Sequence, residues 1–422
     1  MIEDGARRLE PADAARGEAG FFTSYERDGR YITFYGDNHP VFAGNVVKAM
    51  ASARQGYHEI LRLFATELDG IDQEGQSAQS AREASFRRFT ETLDDQLIAR
   101  VVRVERLTPT IVDVVVRAPM AARKFNPGQF YRLQNYEVNA PLLEGTRLMM
   151  EGVALTGAWN DPDRGLLSMI VLEMGCSSRL CAMLKPGEEV VVMGPTGSPT
   201  EIPAGEQVLL AGGGLGNAVL FSIARALMKQ DNRVIYFAGY RKRQDMFKRE
   251  EIEAATDQVI WSVDYGEMIE PHRPQDHCFT GNIVEAMKAY ADGIFGEPMF
   301  KFREIDRIIA IGSDRMMAAV KVARRGGALQ SYFRPGHTAI ASINSPMQCM
   351  MKEVCAQCLQ RHVDPQTGEE TGFVFSCFNQ DQRLDEVDFK NLDDRLRANR
   401  VQEKLAELWL DLLIRREGIE MI

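Results

Sequence analysis

Nowhere in this 422-residue chain does an apolar run approach the roughly 18 consecutive residues that a membrane-spanning helix requires, so no membrane span is expected. Basic charge is also short: 50 Lys and Arg face 60 Asp and Glu, a net charge of −10. Neutralising nucleic-acid phosphates takes an excess of cations on one face, so nucleic acid is not expected as a partner. The six histidines are scattered without metal-ligand spacing. The first residues, Met-Ile-Glu-Asp-Gly-Ala-Arg-Arg, lack the apolar core of a secretory signal, and a cytoplasmic protein is expected. The seven cysteines are odd in number, and four of them crowd between Cys349 and Cys377. That is not a disulfide framework, and in a reducing compartment such crowding points to metal.

What is present is an ordinary globular composition, 45% hydrophobic, in a chain long enough for two or three domains. Residues 1–97 read as an α-rich extension, with an extended Tyr31-Ile-Thr-Phe-Tyr35, a helical stripe from Asn45 to Leu68 and a polar linker around Asp72 to Ser85. From Ile98 the texture changes to short β-branched segments separated by Pro and Gly turns such as Asn126-Pro127-Gly128. This predicts an antiparallel barrel over 98–202. From Gln207 strands alternate with helices, which predicts a parallel sheet covered on both faces, within a domain over 203–335. A cysteine module follows over 336–380. A helical tail over 381–422 carries the leucines 396, 405, 408, 410, 412 and 413, a stripe that fits either a partner or the chain's own domain.

Two strand-to-helix junctions carry candidate phosphate chemistry. In Val208-Leu-Leu-Ala-Gly-Gly-Gly-Leu-Gly-Asn217, the glycines Gly212, Gly213, Gly214 and Gly216 let backbone approach a pyrophosphate. The helix opening at Asn217 aims its N–H groups at the anion. The second junction, Gly312, Ser313 and Asp314, repeats this design at the last predicted strand, so the two loops can flank one nucleotide. Arg241 and Arg243 either contact a 2′-phosphate, which favours NADPH, or form a solvated basic turn; NADH and NADPH both stay open.

The pattern Cys349-x5-Cys355-x2-Cys358-x18-Cys377 is close to the plant-type ferredoxin spacing, one residue longer in its first gap. Four thiolates suit a 2Fe-2S cluster and equally a structural zinc. Cys176, Cys181 and Cys278 read as small buried hydrophobes.

The order of these pieces resembles the ferredoxin-NADP reductase superfamily, specifically its branch of electron-transfer subunits. That branch includes those of dihydroorotate dehydrogenase, sulfide dehydrogenase and the bifurcating NADH-dependent ferredoxin-NADP oxidoreductase. The resemblance rests on Pro127-Gly-Gln-Phe130, Gly152-Val-Ala-Leu-Thr156, Leu172-Glu-Met-Gly-Cys-Ser-Ser-Arg-Leu180, Lys185-Pro-Gly-Glu188, Gly194-Pro-Thr-Gly197, both glycine loops and Asn344-Ser-Pro-Met347. Together these span about residues 98 to 380. It implies a multidomain α/β and β protein: a flavin-binding barrel, an NAD(P)-binding parallel-sheet domain and a small iron-sulfur module between helical extensions.

By the resemblance, Leu155 and Thr156 lie against a flavin, with the Thr156 hydroxyl near N5 in the catalytic position. Gly175, Ser177 and Ser178 then bind the flavin pyrophosphate. Val153 stands where many members carry arginine, as in the subgroup with a Pro-Leu-Thr-like motif. The implied cofactors are FAD in preference to FMN, a 2Fe-2S cluster on Cys349, Cys355, Cys358 and Cys377, and NADH or NADPH. A flavin suits this place because it accepts a hydride and releases electrons singly. The expected function is electron transfer between NAD(P)H and a partner oxidoreductase subunit, in either direction. Two other readings stand beside it: a zinc-stabilised scaffold subunit with a degenerate flavin site, and a self-sufficient NAD(P)H reductase of a small acceptor.

Overall fold

The computed structural model describes residues 2–3, 6–7, 23–27, 30–34, 36–72, 75–343 and 353–419. They divide into two units, Met1–Glu91 and Thr92–Ile422. In the first, Thr23–Arg27 pairs antiparallel with Arg30–Phe34, and helices α1 (Val46–Leu63) and α2 (Ala65–Asp72) follow. Asn45 caps α1 by accepting from the Lys48 N–H at 2.9 Å. The polar stretch expected as a linker is helical from residue 76: α3 spans Gln76–Leu97. Its Ala, Arg, Glu and Gln residues are strong helix formers, and pairs such as Gln79 with Glu83 at 2.8 Å support it one turn apart. A polar composition alone does not make a linker.

The second unit opens with a closed six-stranded barrel. Its strands are β1 (Ala99–Thr108), β2 (Ile111–Arg117), β3 (Phe130–Asn135), β4 (Val153–Asp161), β5 (Leu166–Leu172) and β6 (Glu189–Thr196), in the order β4-β5-β2-β1-β6-β3. Alternation sorts the side chains: Val112, Val114 and Val116 with Leu167, Met169 and Val171 fill the interior. The other face of β2 and β5 is buried as well, because Ile111 and Ile170 share a core with Val219, Leu220 and Ile223 of the next domain. Barrel and next domain are thus joined by packed apolar surface.

That domain is a seven-stranded sheet, ordered β10-β9-β8-β7-β11-β12-β15. Its strands are β7 (Gln207–Gly213), β8 (Arg233–Tyr240), β9 (Gln258–Val263), β10 (His277–Thr280), β11 (Arg307–Ile311), β12 (Thr338–Ser342) and β15 (Asp381–Arg383). All run parallel except β15, which pairs antiparallel with β12. Leu209, Ile235 and Ile308 face one core and Val208, Leu210 and Ile309 the other, so the strands read as continuous apolar runs. The chain order reverses between β7 and β11, which puts both glycine loops at the switch point. Between β12 and β15 lies a hairpin of β13 (Leu359–Val363) and β14 (Glu370–Phe375). Helices α10 (Phe389–Leu396) and α11 (Arg400–Glu417) end the described residues. Among these, no helix is long and apolar enough to cross a membrane.

One buried charge bridges barrel and sheet domain. Asp113 on β2 has a fully buried side chain, accepts from the Ser168 hydroxyl at 2.6 Å, and meets Lys248 Nζ at 3.4 Å and Arg103 at 3.6 Å. Lys248 caps helix α7 (Arg249–Ala254) in the left-handed region at φ 51°, a conformation that strains a side-chain-bearing residue. Asp113→Ala takes away the acceptor of the buried Ser168 hydroxyl and one of the two carboxylates at 3.4 Å from Lys248, the other being Glu251. It is expected to lower unfolding free energy by about 1–3 kcal/mol, read from urea denaturation.

Candidate functional site

Strand β7 delivers the first glycine loop, and each glycine has its own reason. A Cβ on Gly212 would lie 2.0 Å from Asn217 Oδ1, and one on Gly216 would lie 2.0 Å from the Ile311 carbonyl oxygen. Gly214 adopts φ +54° with open space around it, so there the backbone conformation asks for glycine. Gly213 and Gly312 stand face to face, a Cβ on Gly312 falling 3.2 Å from the Gly213 Cα. The two predicted loops are therefore in contact at the carboxyl ends of β7 and β11. Asn217 is a buried strut: it accepts from the Tyr236 hydroxyl at 2.8 Å and donates to the Gly239 carbonyl at 3.3 Å. Ser313 caps helix α9 (Asp314–Arg324) by accepting from Met316 N–H at 3.2 Å, with Asp314 in the first turn. At the end of β8, Arg243 meets Glu267 at 3.4 Å, while Arg241 lies near Asp264, whose carboxyl burial pushes up against the Arg241 charge.

On the barrel, β4 pairs with β3 so that Thr156 stands opposite Phe130 and Ala154 opposite Arg132. Leu155 turns into the barrel core, so Ala154 and half-buried Thr156 share the outer face with Phe130 and Arg132. Arg132 crosses over Gly152, where a Cβ would fall 1.6 Å from its Nε. This outer face meets the cysteine segment: Cys358 and Cys377, both buried, form one cluster with Phe130, and Ala154 packs against it.

Gly175, Ser177 and Ser178 open the short helix α5 (Cys176–Leu180) on the same rim. Ser177 Oγ accepts from the Glu151 N–H at 3.1 Å, just ahead of β4. Ser178 Oγ accepts from the Gly175 N–H at 2.9 Å and the Met174 N–H at 3.0 Å. Helix α11 covers α5. Leu410 and Leu413 enter the barrel core beside Leu180 and Cys181, Asp411 pairs with Arg179 at 2.7 Å, and a Cβ on Gly175 would lie 2.8 Å from the Glu403 carboxylate. The leucine stripe is thus split: Leu410 and Leu413 pack inward, whereas Leu405 and Leu408 are exposed.

In the cysteine loop, Glu353 and Ala356 take left-handed φ of 58° and 61°, curling the chain around half-buried Cys355. The Ser376 N–H donates to the Cys358 carbonyl at 3.1 Å, which joins the Cys355–Cys358 loop to the Cys377 turn. Gln380 donates to the Gly128 and Ser198 carbonyls, and Thr200 donates to Asp381 at 2.6 Å, stitching that turn to the barrel. Cys349 and the 344–347 segment lie outside the described residues, among which no three metal-binding side chains gather. Cys355, Cys358 and Cys377 form no disulfide. Burial pushes the Cys181 thiol up to about 12, in keeping with a small core residue. Phe130, Arg132, Ala154 and Gln380 join the site only through contacts between distant segments. Phe130 and Ala154 lie inside quoted motifs; Arg132 and Gln380 carry no signal of their own.

A closed antiparallel barrel joined to a parallel sheet with glycine loops at its switch point is a ferredoxin reductase-like fold. No protein-family model matches the chain. It is 30% identical over 374 residues to an uncharacterized protein of Rickettsia prowazekii (strain Madrid E), covering 89% of this chain and 41% of that protein. The chain thus spans about two-fifths of that relative's length. It is 25% identical over 308 residues to a dihydroorotate dehydrogenase B (NAD(+)) electron transfer subunit homolog of Thermotoga maritima, covering 72% of this chain and 93% of that one. A solved structure described as giving insights into flavin-based electron bifurcation, that of an NADH-dependent reduced ferredoxin-NADP oxidoreductase, superposes with a TM-score of 0.60. It is 24% identical and covers 75% of this chain and 98% of that one. The chain is thus similar in sequence to proteins named as dihydroorotate dehydrogenase electron transfer subunits and shares the ferredoxin reductase-like fold.

The contact between the loops gives a direct test. Gly216→Ala forces a methyl against the Ile311 carbonyl, where backbone has to move, and a loss of about 2–3 kcal/mol is expected, seen as a lowered thermal midpoint.

Proposed function

We propose that this chain is an NAD(P)H-linked electron-transfer flavoprotein subunit of a reducing, cytoplasmic compartment. It links a nicotinamide nucleotide, FAD and a 2Fe-2S cluster to a partner oxidoreductase. The observation that carries the reading is the packing of Cys358 and Cys377 against Phe130 and Ala154, on the barrel face that also holds Thr156. The T. maritima relative, named as an electron transfer subunit homolog over nearly its full length, supports it. The proposed division of labour follows the segments 98–202 for flavin, 203–335 for nucleotide and 336–380 for the cluster.

The donor sets suit these groups. Two buried thiols lie together without a disulfide and a third stands in the adjoining loop; soft sulfur of this kind suits iron. The barrel rim carries Arg132 and two hydroxyls set by local hydrogen bonds, Ser177 and Ser178. Flavin and cluster together supply conversion of a hydride into single electrons. Gly212, Gly213, Gly214 and Gly216 offer backbone to the nucleotide pyrophosphate, with Asn217 bracing the turn, and Gly312, Ser313 and Asp314 border the same mouth. Thr156 orients the flavin ring through its hydroxyl, while the Leu155 side chain supports the strand from within the barrel. Gly175, Ser177 and Ser178 hold the flavin pyrophosphate. Phe130 and Ala154, packed against Cys358 and Cys377, would exclude water beside a flavin bound on this face. Cys349, Cys355, Cys358 and Cys377 ligate the cluster.

Anaerobically purified protein is expected to show flavin absorption and about two irons and two sulfides per chain, and to bleach with NADH or NADPH. Bound zinc and a colourless protein after reconstitution would instead establish the scaffold reading. Glu403 sets a carboxylate beside Gly175, where the pyrophosphate would bring further negative charge. Glu403→Gln is therefore expected to tighten FAD binding to the reconstituted protein by roughly two- to fivefold at low salt, with the gain fading as salt rises. Flavin fluorescence quenching measures both.

A further inference from the structure

Helix α10 brings a cation to the cysteine loop. Phe389 and Leu392 anchor this helix in the core of the sheet domain, which fixes Arg395 one turn beyond Leu392. From there Arg395 donates to the Gln357 carbonyl and, at 3.4 Å, to Gln360 Oε1, two positions that bracket Cys358. Gln360 is itself fully buried and donates to the Asp388 carbonyl at 3.1 Å and the Arg361 carbonyl at 2.9 Å, so the guanidinium's anchor is held in turn. Two carboxylates of this helix and its cap are committed elsewhere: Asp388 to Arg361 and Asp393 to Arg397 at 2.8 Å. Arg395 is half-buried, so its guanidinium is partly withdrawn from water.

We propose that Arg395 sets the reduction potential of the cluster on the cysteine loop, by placing a fixed positive charge beside Cys358. The inference rests on the cluster reading given above. One electron, originating from NAD(P)H, would add one negative charge to a cluster bound by these thiolates, with no bond made or broken and no proton taken up. A guanidinium partly withdrawn from water favours that added charge and raises the potential. Arg395 touches no reacting atom in this account and is a positioning residue.

The test is a redox titration of the full-length protein, followed by the electron paramagnetic resonance of the reduced cluster, in wild type, Arg395→Gln and Arg395→Lys. Glutamine keeps a donor for the Gln357 carbonyl and removes the charge; lysine keeps the charge. The expected result is an approximately tenfold weaker one-electron reduction in Arg395→Gln, a fall of about 59 mV, with Arg395→Lys close to wild type. An unchanged potential in Arg395→Gln at full iron and sulfide content overturns the proposal. So does an equal shift in both variants, or a loss of iron from both, which assigns Arg395 a structural part only. Wild-type protein lacking iron and sulfide overturns the cluster reading itself and this inference with it.

Discussion

The apolar contact between the outer face of barrel strands β2 and β5 and the helix of the glycine loop is the constraint on which the rest of the second unit depends. Ile111, Ala158 and Ile170 share one core with Val219, Leu220 and Ile223, so barrel and sheet cannot slide without exposing both. At roughly 25 cal/mol for each Å² of apolar surface kept from water, a contact of this kind outweighs any single surface ion pair. It aligns the barrel rim with the carboxyl ends of β7 and β11. Asp113 and Lys248 add direction to that contact, because a buried charge pair tolerates fewer arrangements than aliphatic packing does.

The cysteine segment is held from two sides of this frame. Strand β15 extends the sheet next to β12, and Gln380 and Asp381 at its start reach back to the barrel loops at Gly128, Ser198 and Thr200. The turn carrying Cys377 is therefore clamped between barrel and sheet. A segment so placed keeps its distance from β4 without needing a core of its own, which a hairpin as short as β13–β14 could not supply.

How much of this was legible in the sequence depended on whether the information was local. The parallel strands were plain, because burial on both faces writes them as unbroken runs such as Val208 to Ala211. The glycine loops were plain for another reason: positive φ at Gly214 and near-contact at Gly212 and Gly216 demand glycine itself. Strand β4 was hidden as a strand, since Gly157 and Ala158 dilute its pattern and its register shifts near Gly157. The short strands β10, β12 and β15 carry little signal of their own, because each takes its place from a neighbouring strand more than from its composition. Helix α3 was concealed by polarity, which excludes a buried face but not a helix.

The candidate site was legible in its parts and not in its assembly. Thr156 and Cys358 are separated by about two hundred residues, and nothing in either segment's composition indicates that Phe130 and Ala154, on the face of Thr156, pack against the cysteines. Electron transfer places its demand on that assembly: donor and acceptor need fixed separation and a dry interval more than they need acid-base groups. The residues supplying these conditions are apolar or small, so they carry no chemical signature in a sequence. A charge such as Arg395 is equally silent until the fold shows which carboxylates are already taken. On the proposed reading, in which redox groups are held at a fixed distance, the informative observation is therefore which buried surfaces meet, and here the cysteines meet the outer face of β3 and β4.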